Sequence, residues 1–131
     1  MAQPQGKSST DGGRIDGTLG TAAVAGDFVL GAGWGSTRSA TVTAGSNAQR
    51  GKLTLTASGS SYAQATATVV FTFPDGAYNV APPCGIVTVT SDSSIDEGHV
   101  TVVNTTTTST WTFSVLPVST KIYVFHYLIP A

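Results

Sequence analysis

The feature that most constrains this chain is an alternation of period two that recurs along most of its length. It runs through 40–43, 52–56, 67–73, 86–90, 99–103, 111–115 and 121–128, as in Lys52-Leu53-Thr54-Leu55-Thr56 and Ile86-Val87-Thr88-Val89-Thr90. These runs are rich in β-branched and aromatic residues, whose stiff side chains suit a pleated surface buried on one face. Turn residues separate them: Gly45-Ser46-Asn47, Gly59-Ser60-Ser61, Pro74-Asp75-Gly76, Pro82-Pro83, the stretch from Asp92 to Gly98, and Pro117. Glycine supplies positive φ and proline fixes φ, so these are turns with a mechanism. No window carries a helical period. About seven or eight short strands at close spacing predict an all-β chain, an antiparallel β-sandwich or jelly-roll-like knob.

The first 26 residues have a different texture. They are rich in Gly, Ser, Thr and Ala, with Ile15, Leu19 and Val24 as isolated apolar points. Such a segment cannot bury enough surface to offset its own ordering entropy. It reads as an extended N-terminal arm, 1–26, that docks on a partner, followed by a knob over 27–131. The last predicted strand is apolar on both sides. Ile122, Val124 and Leu128 fall on one face, and Tyr123, Phe125, Tyr127 and Ile129 on the other. In a two-layer sandwich the outer of these faces needs cover from elsewhere, and a neighbouring subunit is the simplest cover.

Composition narrows the function. Charged residues make up 10% of the 131 residues, against roughly 25% in an ordinary domain. Six Lys+Arg and a formal net charge of -1 cannot build the basic face that grips phosphates, which argues against nucleic acid. The single Cys84 has no disulfide partner and does not make a zinc site. The polar opening MAQPQGKSSTDGGR predicts no export signal, and the apolar run from Lys121 to Pro130 is too short to span a bilayer. A soluble protein made in a reducing cytoplasm is expected. By the same reading, the Asn104-Thr105-Thr106 sequon is a chance match.

The candidates for chemistry each meet a simpler explanation. In Gly31-Ala32-Gly33-Trp34-Gly35 the third glycine of a dinucleotide loop would fall on Ser36, so the glycines serve a sharp turn around a large Trp34 anchor. His99 and His126 lack companions at metal-ligand spacing. The acidic stretch from Asp92 to Gly98 lacks the alternating ligands of a calcium loop. No nucleophile elbow is present, and the seven acids fall mostly in turns or in the arm. The expectation is a non-enzyme with no catalytic residue, cofactor or metal.

Several motifs taken together resemble a known family. Gly33-Trp34-Gly35-Ser36-Thr37 opens the stretch, and Val42-Thr43-Ala44-Gly45-Ser46-Asn47 leads into Arg50-Gly51-Lys52-Leu53-Thr54-Leu55-Thr56. Val70-Phe71-Thr72-Phe73 precedes Ala77-Tyr78, and the Ala81-Pro82-Pro83 step enters a hydrophobic strand. The threonine-rich stretch from Asn104 to Thr112 precedes Phe113, and Val118-Ser119-Thr120-Lys121-Ile122-Tyr123 runs on to Tyr127-Leu128-Ile129. In this order they resemble a small β-sandwich domain of tailed-bacteriophage virions, found in head decoration and head-fibre proteins and in tail-fibre C-terminal knobs.

The resemblance implies a structural virion protein, usually a homotrimer, with no catalytic residues to carry over. A short arm with no shaft favours a capsid decoration protein. It would bind the major capsid protein on the virion surface, having been made in the host bacterial cytoplasm. On that expectation Ile15, Leu19, Val24 and Phe28 dock the arm on the shell, and Trp34, Tyr123 and Phe125 pack between subunits. The alternative reading is a receptor-binding knob of a tail fibre that meets a host surface glycan through Tyr62, Tyr78 and Asn79.

Overall fold

The computed structural model describes residues 20–91 and 99–130. It is a β-sandwich of eight strands: β1 (Phe28–Leu30), β2 (Ser39–Val42), β3 (Arg50–Thr56), β4 (Thr68–Thr72), β5 (Ile86–Ser91), β6 (Val100–Asn104), β7 (Thr108–Phe113) and β8 (Ile122–Leu128). One sheet has the order β1-β4-β7-β6 and the other β2-β3-β8-β5, and every pairing is antiparallel. Three 3-10 turns, Ala25–Asp27, Ala32–Trp34 and Gln64–Thr66, are the only helical elements among the described residues. The all-β sandwich read from the alternation is therefore present, with the β2–β3 and β6–β7 pairs each kept within one sheet.

Period two fixes which side chains face inward. Along β7, Ser109, Trp111 and Phe113 are buried while Thr108, Thr110 and Thr112 face out. Along β8, Tyr123, Phe125 and Tyr127 are buried. The space between the sheets is filled by rings. Phe28 stacks on Phe71 with centroids 4.4 Å apart, and Trp34 stacks on Phe113 at 5.2 Å. Trp111 lies between Phe125 at 6.0 Å and Tyr127 at 5.2 Å. Offset and edge contacts of this kind contribute about 0.5–1.5 kcal/mol each beyond area burial.

Trp34 enters this core from the 3-10 turn after β1. Gly33 makes the entry possible, because a Cβ there would sit 2.0 Å from the Ala63 carbonyl oxygen and 2.5 Å from the Ala67 nitrogen. The indole N–H donates to the Thr68 carbonyl at 3.0 Å. The glycine-rich run thus holds an anchor, as its spacing suggested, but an anchor for this chain's own core.

Four expectations are corrected by that packing. Trp34, Tyr123 and Phe125 do not pack between subunits: they are 0%, 1% and 1% exposed inside a single chain. Within the chain only one face of β8 is buried: Tyr123, Phe125 and Tyr127 turn inward onto the rings of the opposite sheet, whereas Ile122, His126 and Leu128 are exposed. Phe28 is not a docking residue of the arm either, since it belongs to β1 and is buried against Phe71. Of the other arm residues, Val24 is exposed, and Ile15 and Leu19 lie outside the described residues. The described end of the arm, from residue 20, lies on the sandwich: Thr21 N–H donates to Asp75 Oδ1 at 2.7 Å and Ala23 N–H to the Ser46 carbonyl at 2.8 Å.

Two strand boundaries also differ from the pattern. β1 is only three residues long, too short for alternation to register. β7 begins at Thr108, three residues ahead of the alternating run at 111–115, because the Thr105 hydroxyl accepts the N–H groups of Thr107 and Thr108 and closes the turn early. Threonine hydroxyls favour such local turns.

Candidate interaction surfaces

The chemistry of this chain is concentrated on the two outward faces of the sandwich. On the first sheet the outward residues are Val29 of β1, Thr68, Val70 and Thr72 of β4, Thr108, Thr110 and Thr112 of β7, and Thr101 and Val103 of β6. All nine are threonine or valine. Register sets them in rows: Val29, Val70, Thr110 and Val103 lie side by side, as do Thr68, Thr112 and Thr101. The face carries no charge. Its β-branched side chains are already stiff at χ1, so ordering them against a partner costs little.

The second sheet is different. Ser39, Thr41, Thr54, Thr56, Thr88 and Thr90 give it hydroxyls, and Ile86, Ile122 and Leu128 are exposed aliphatics. Ile86 pairs with Leu128 and is 60% exposed beside a leucine 49% exposed. The outer face of β8 is thus uncovered within the chain, as its two-sided apolar pattern implied. Arg50, Lys52 and His126 share this face, with Lys52 directly opposite His126 in register.

The turn after β2 lies beside these three residues, and between them is a shallow, open cleft of about 420 Å³ lined by Thr43 to Ser46, Arg50 to Lys52, His126 and Tyr127. The turn is firmly built. Ser46 Oγ donates to the Thr43 carbonyl at 2.7 Å and accepts the Lys52 N–H at 3.1 Å. Asn47 Oδ1 accepts the N–H groups of Gln49 and Arg50, which starts β3 at Arg50. Tyr127 donates its hydroxyl proton to the Asn47 carbonyl at 2.6 Å. Burial pushes this phenol well above its ordinary value, with the Ser46 hydrogen bond opposing the shift and Asp27 adding to it. Gly51 lets the turn close on the strand, because a Cβ there would meet Ser46 Cβ and Tyr127 Oη at 2.5 Å.

Other candidate residues are not brought together. His99 lies ahead of β6 in the first sheet, its N–H donating to Ser114 Oγ, while His126 is on the second. Among the described residues no three His, Cys, Asp or Glu side chains converge, and no helix is long and apolar enough to cross a membrane. The stretch from Asp92 to Gly98 lies outside the described residues. Tyr62 donates its hydroxyl proton to the Gly59 carbonyl, and Tyr78 packs edge-on against Phe73 at 5.0 Å, so both rings serve their own turns. Asn79 is exposed.

Asn104 spends its amide N–H groups on the Pro82 and Cys84 carbonyls, which pins the connection between β4 and β5. Its Oδ1 is buried without a hydrogen-bond partner.

Sequence reasoning bet on aromatic residues and missed the threonine–valine face and the basic cleft. The signal for the first was present in Thr108-Ser109-Thr110-Trp111-Thr112-Phe113, where threonine occupies every position that the core does not take. No signal places His126 beside Lys52, since only the register of β3 on β8 does so. The chain matches no family model, and neither a similar curated protein nor a similar solved structure is found.

Proposed function

We propose that the protein is a structural virion protein of a tailed bacteriophage, a capsid decoration protein that works as a homotrimer. The observation that carries this reading is the outer face of the first sheet, built only of threonine and valine. Three copies of such a face can converge on a threefold axis without burying a charge, whereas the outer face of the second sheet would bring Arg50 and Lys52 of each copy into that contact. Self-association therefore belongs to the first sheet.

Strand and residue spacings give that face a footprint of about 300 Å², less than half of the roughly 800 Å² per partner in a standard interface. Val115 and Leu116, which follow the end of β7 in sequence, are exposed aliphatics as well. The N-terminal segment then supplies the contact with the shell. Three segments on one trimer multiply a weak contact through effective concentration, and binding that favours the assembled lattice stabilises it by mass action. The resemblance of the ordered motifs to virion β-sandwich domains supports the assignment to a phage head.

The test is co-sedimentation of labelled full-length protein with heads stripped of accessory proteins, with host cells in parallel. Saturable binding to heads at a fixed copy number is the expected result. Binding to cells alone would transfer the function to adhesion.

A further inference from the structure

We infer that the cleft formed by Arg50, Lys52 and His126 under the turn after β2 binds an acidic glycan, through a carboxylate or phosphate group carried on a sugar chain. The inference is independent of which particle carries the protein.

Four Lys and Arg residues are described: Arg38, Arg50, Lys52 and Lys121. Arg38 is committed to the chain, donating to the Leu30 and Gly35 carbonyls. Lys121 lies 5.8 Å from the Tyr123 ring centroid. Arg50 and Lys52 have no such employment, and their side chains line the same cleft as His126. Neither has an ion-pair partner among the described residues, because both described carboxylates are engaged elsewhere. Asp75 accepts from Thr21 and Asp27 from the Val24 N–H at 2.9 Å. Cations spread over a face to solvate it are ordinarily interleaved with carboxylates, and here the outer face of the strands has none.

The site is also prearranged. Lys52 and His126 are directly opposed, which sets their Cβ atoms about 5 Å apart, and Arg50 is two residues along the same face of β3. The buried Ser46 and Asn47 hold the wall of the cleft and the start of β3. Ordering cost on binding is then confined to the two long side chains.

The surroundings choose a glycan over an acidic protein surface. Threonine hydroxyls of β3 and β5 continue from the cationic end along the same face and match sugar hydroxyls. Exposed Leu128, opposite Arg50, offers an apolar platform for the C–H face of a ring. A chain of charged sugars can lie along this shallow, open face and use the cations, the hydroxyls and Leu128 together.

The test is a two-dimensional NMR titration of the full-length protein with trigalacturonic acid, with maltotriose, inorganic phosphate and poly-glutamate as parallel arms. The expected result is saturable shifts at Arg50, Lys52, Thr54 and His126 with trigalacturonic acid, at a Kd of about 1 mM or tighter. Maltotriose leaves these resonances unmoved and phosphate binds more weakly. The exposed-site variants Arg50→Gln and Lys52→Gln each weaken binding about 10-fold, the effect of losing one charge-assisted hydrogen bond, and their unchanged melting midpoints show that the fold is intact. Absence of shifts with trigalacturonic acid, equal shifts with maltotriose, or binding by phosphate or poly-glutamate as tight as by trigalacturonic acid would overturn the inference.

Discussion

Replacing Trp34 separates an interior anchor from one that joins subunits. The indole is 0% exposed, stacks on Phe113 at 5.2 Å, and meets Tyr123 and Phe125 edge-on at 5.3 and 5.7 Å. Truncation to alanine removes the ring from all three contacts and leaves a cavity between the sheets, which costs about 3–5 kcal/mol. For a domain of this size that is a fall in Tm of roughly 12–20 °C. Trp34→Phe keeps a ring in place but loses the N–H donated to the Thr68 carbonyl. That carbonyl keeps the Gly31 N–H at 2.8 Å, so no buried acceptor is orphaned and the cost stays near 1–2 kcal/mol. Urea titration followed by far-UV circular dichroism reads the stability, and sedimentation velocity on the same samples reads the assembly state. Both variants should lose stability in this order, with Trp34→Phe assembling as the wild type does. A Trp34→Phe protein of unchanged stability that sediments as a smaller species would refute the interior placement.

Three further outcomes follow from the packing. Stability should fall as pH rises above 10, the ordinary phenol value, because the unfolded chain releases the Tyr127 proton there while the folded chain holds it; Tyr127→Phe should flatten that alkaline slope in urea titrations at several pH values. Gly51→Ala should cost about 1–3 kcal/mol through overpacking against Ser46 and Tyr127, read as a lower urea midpoint, and an unchanged midpoint would mean that the turn gives way freely. Removal of residues 1–19 should leave the melting midpoint unchanged and abolish co-sedimentation with heads, whereas removal of residues 1–26 should also destabilise the knob by stripping the Ala23 and Thr21 hydrogen bonds.

The fold was legible in the sequence where alternation was long. β3, β7 and β8 each carry at least three inward residues in register with period two, and a slip of one residue would expose Leu53, Trp111 or Phe125. Short or locally determined features escaped it. β1 has three residues, and the start of β7 depends on one threonine hydroxyl. The assignment of aromatic residues to subunit contacts failed for a reason of geometry. Period two separates the two faces of β8, but only the contacts of Tyr123 and Phe125 with Trp34 and of Tyr127 with Phe71 show that the aromatic face meets this chain's own opposite sheet. The basic cleft was illegible because it joins Arg50 and Lys52 to a histidine more than seventy residues away in sequence. The uncharged first sheet was legible in part, since low charge and threonine richness were visible, but their concentration on one face follows from register alone.

The proposed trimer depends on the threonine–valine faces of three copies packing together about one axis. Thr110 lies in the middle row of that face, flanked by Val70 and Val103, so Thr110→Glu would place a carboxylate where charge must be desolvated. Sedimentation velocity of the wild type and of Thr110→Glu over a concentration series measures this directly, with Thr56→Glu on the opposite sheet as the control. The expected result is a wild-type oligomer that Thr110→Glu weakens by at least about 100-fold, as burying an unpaired charge requires, while Thr56→Glu assembles normally. A wild type that remains monomeric, or a folded Thr110→Glu protein that assembles as the wild type does, would contradict the account.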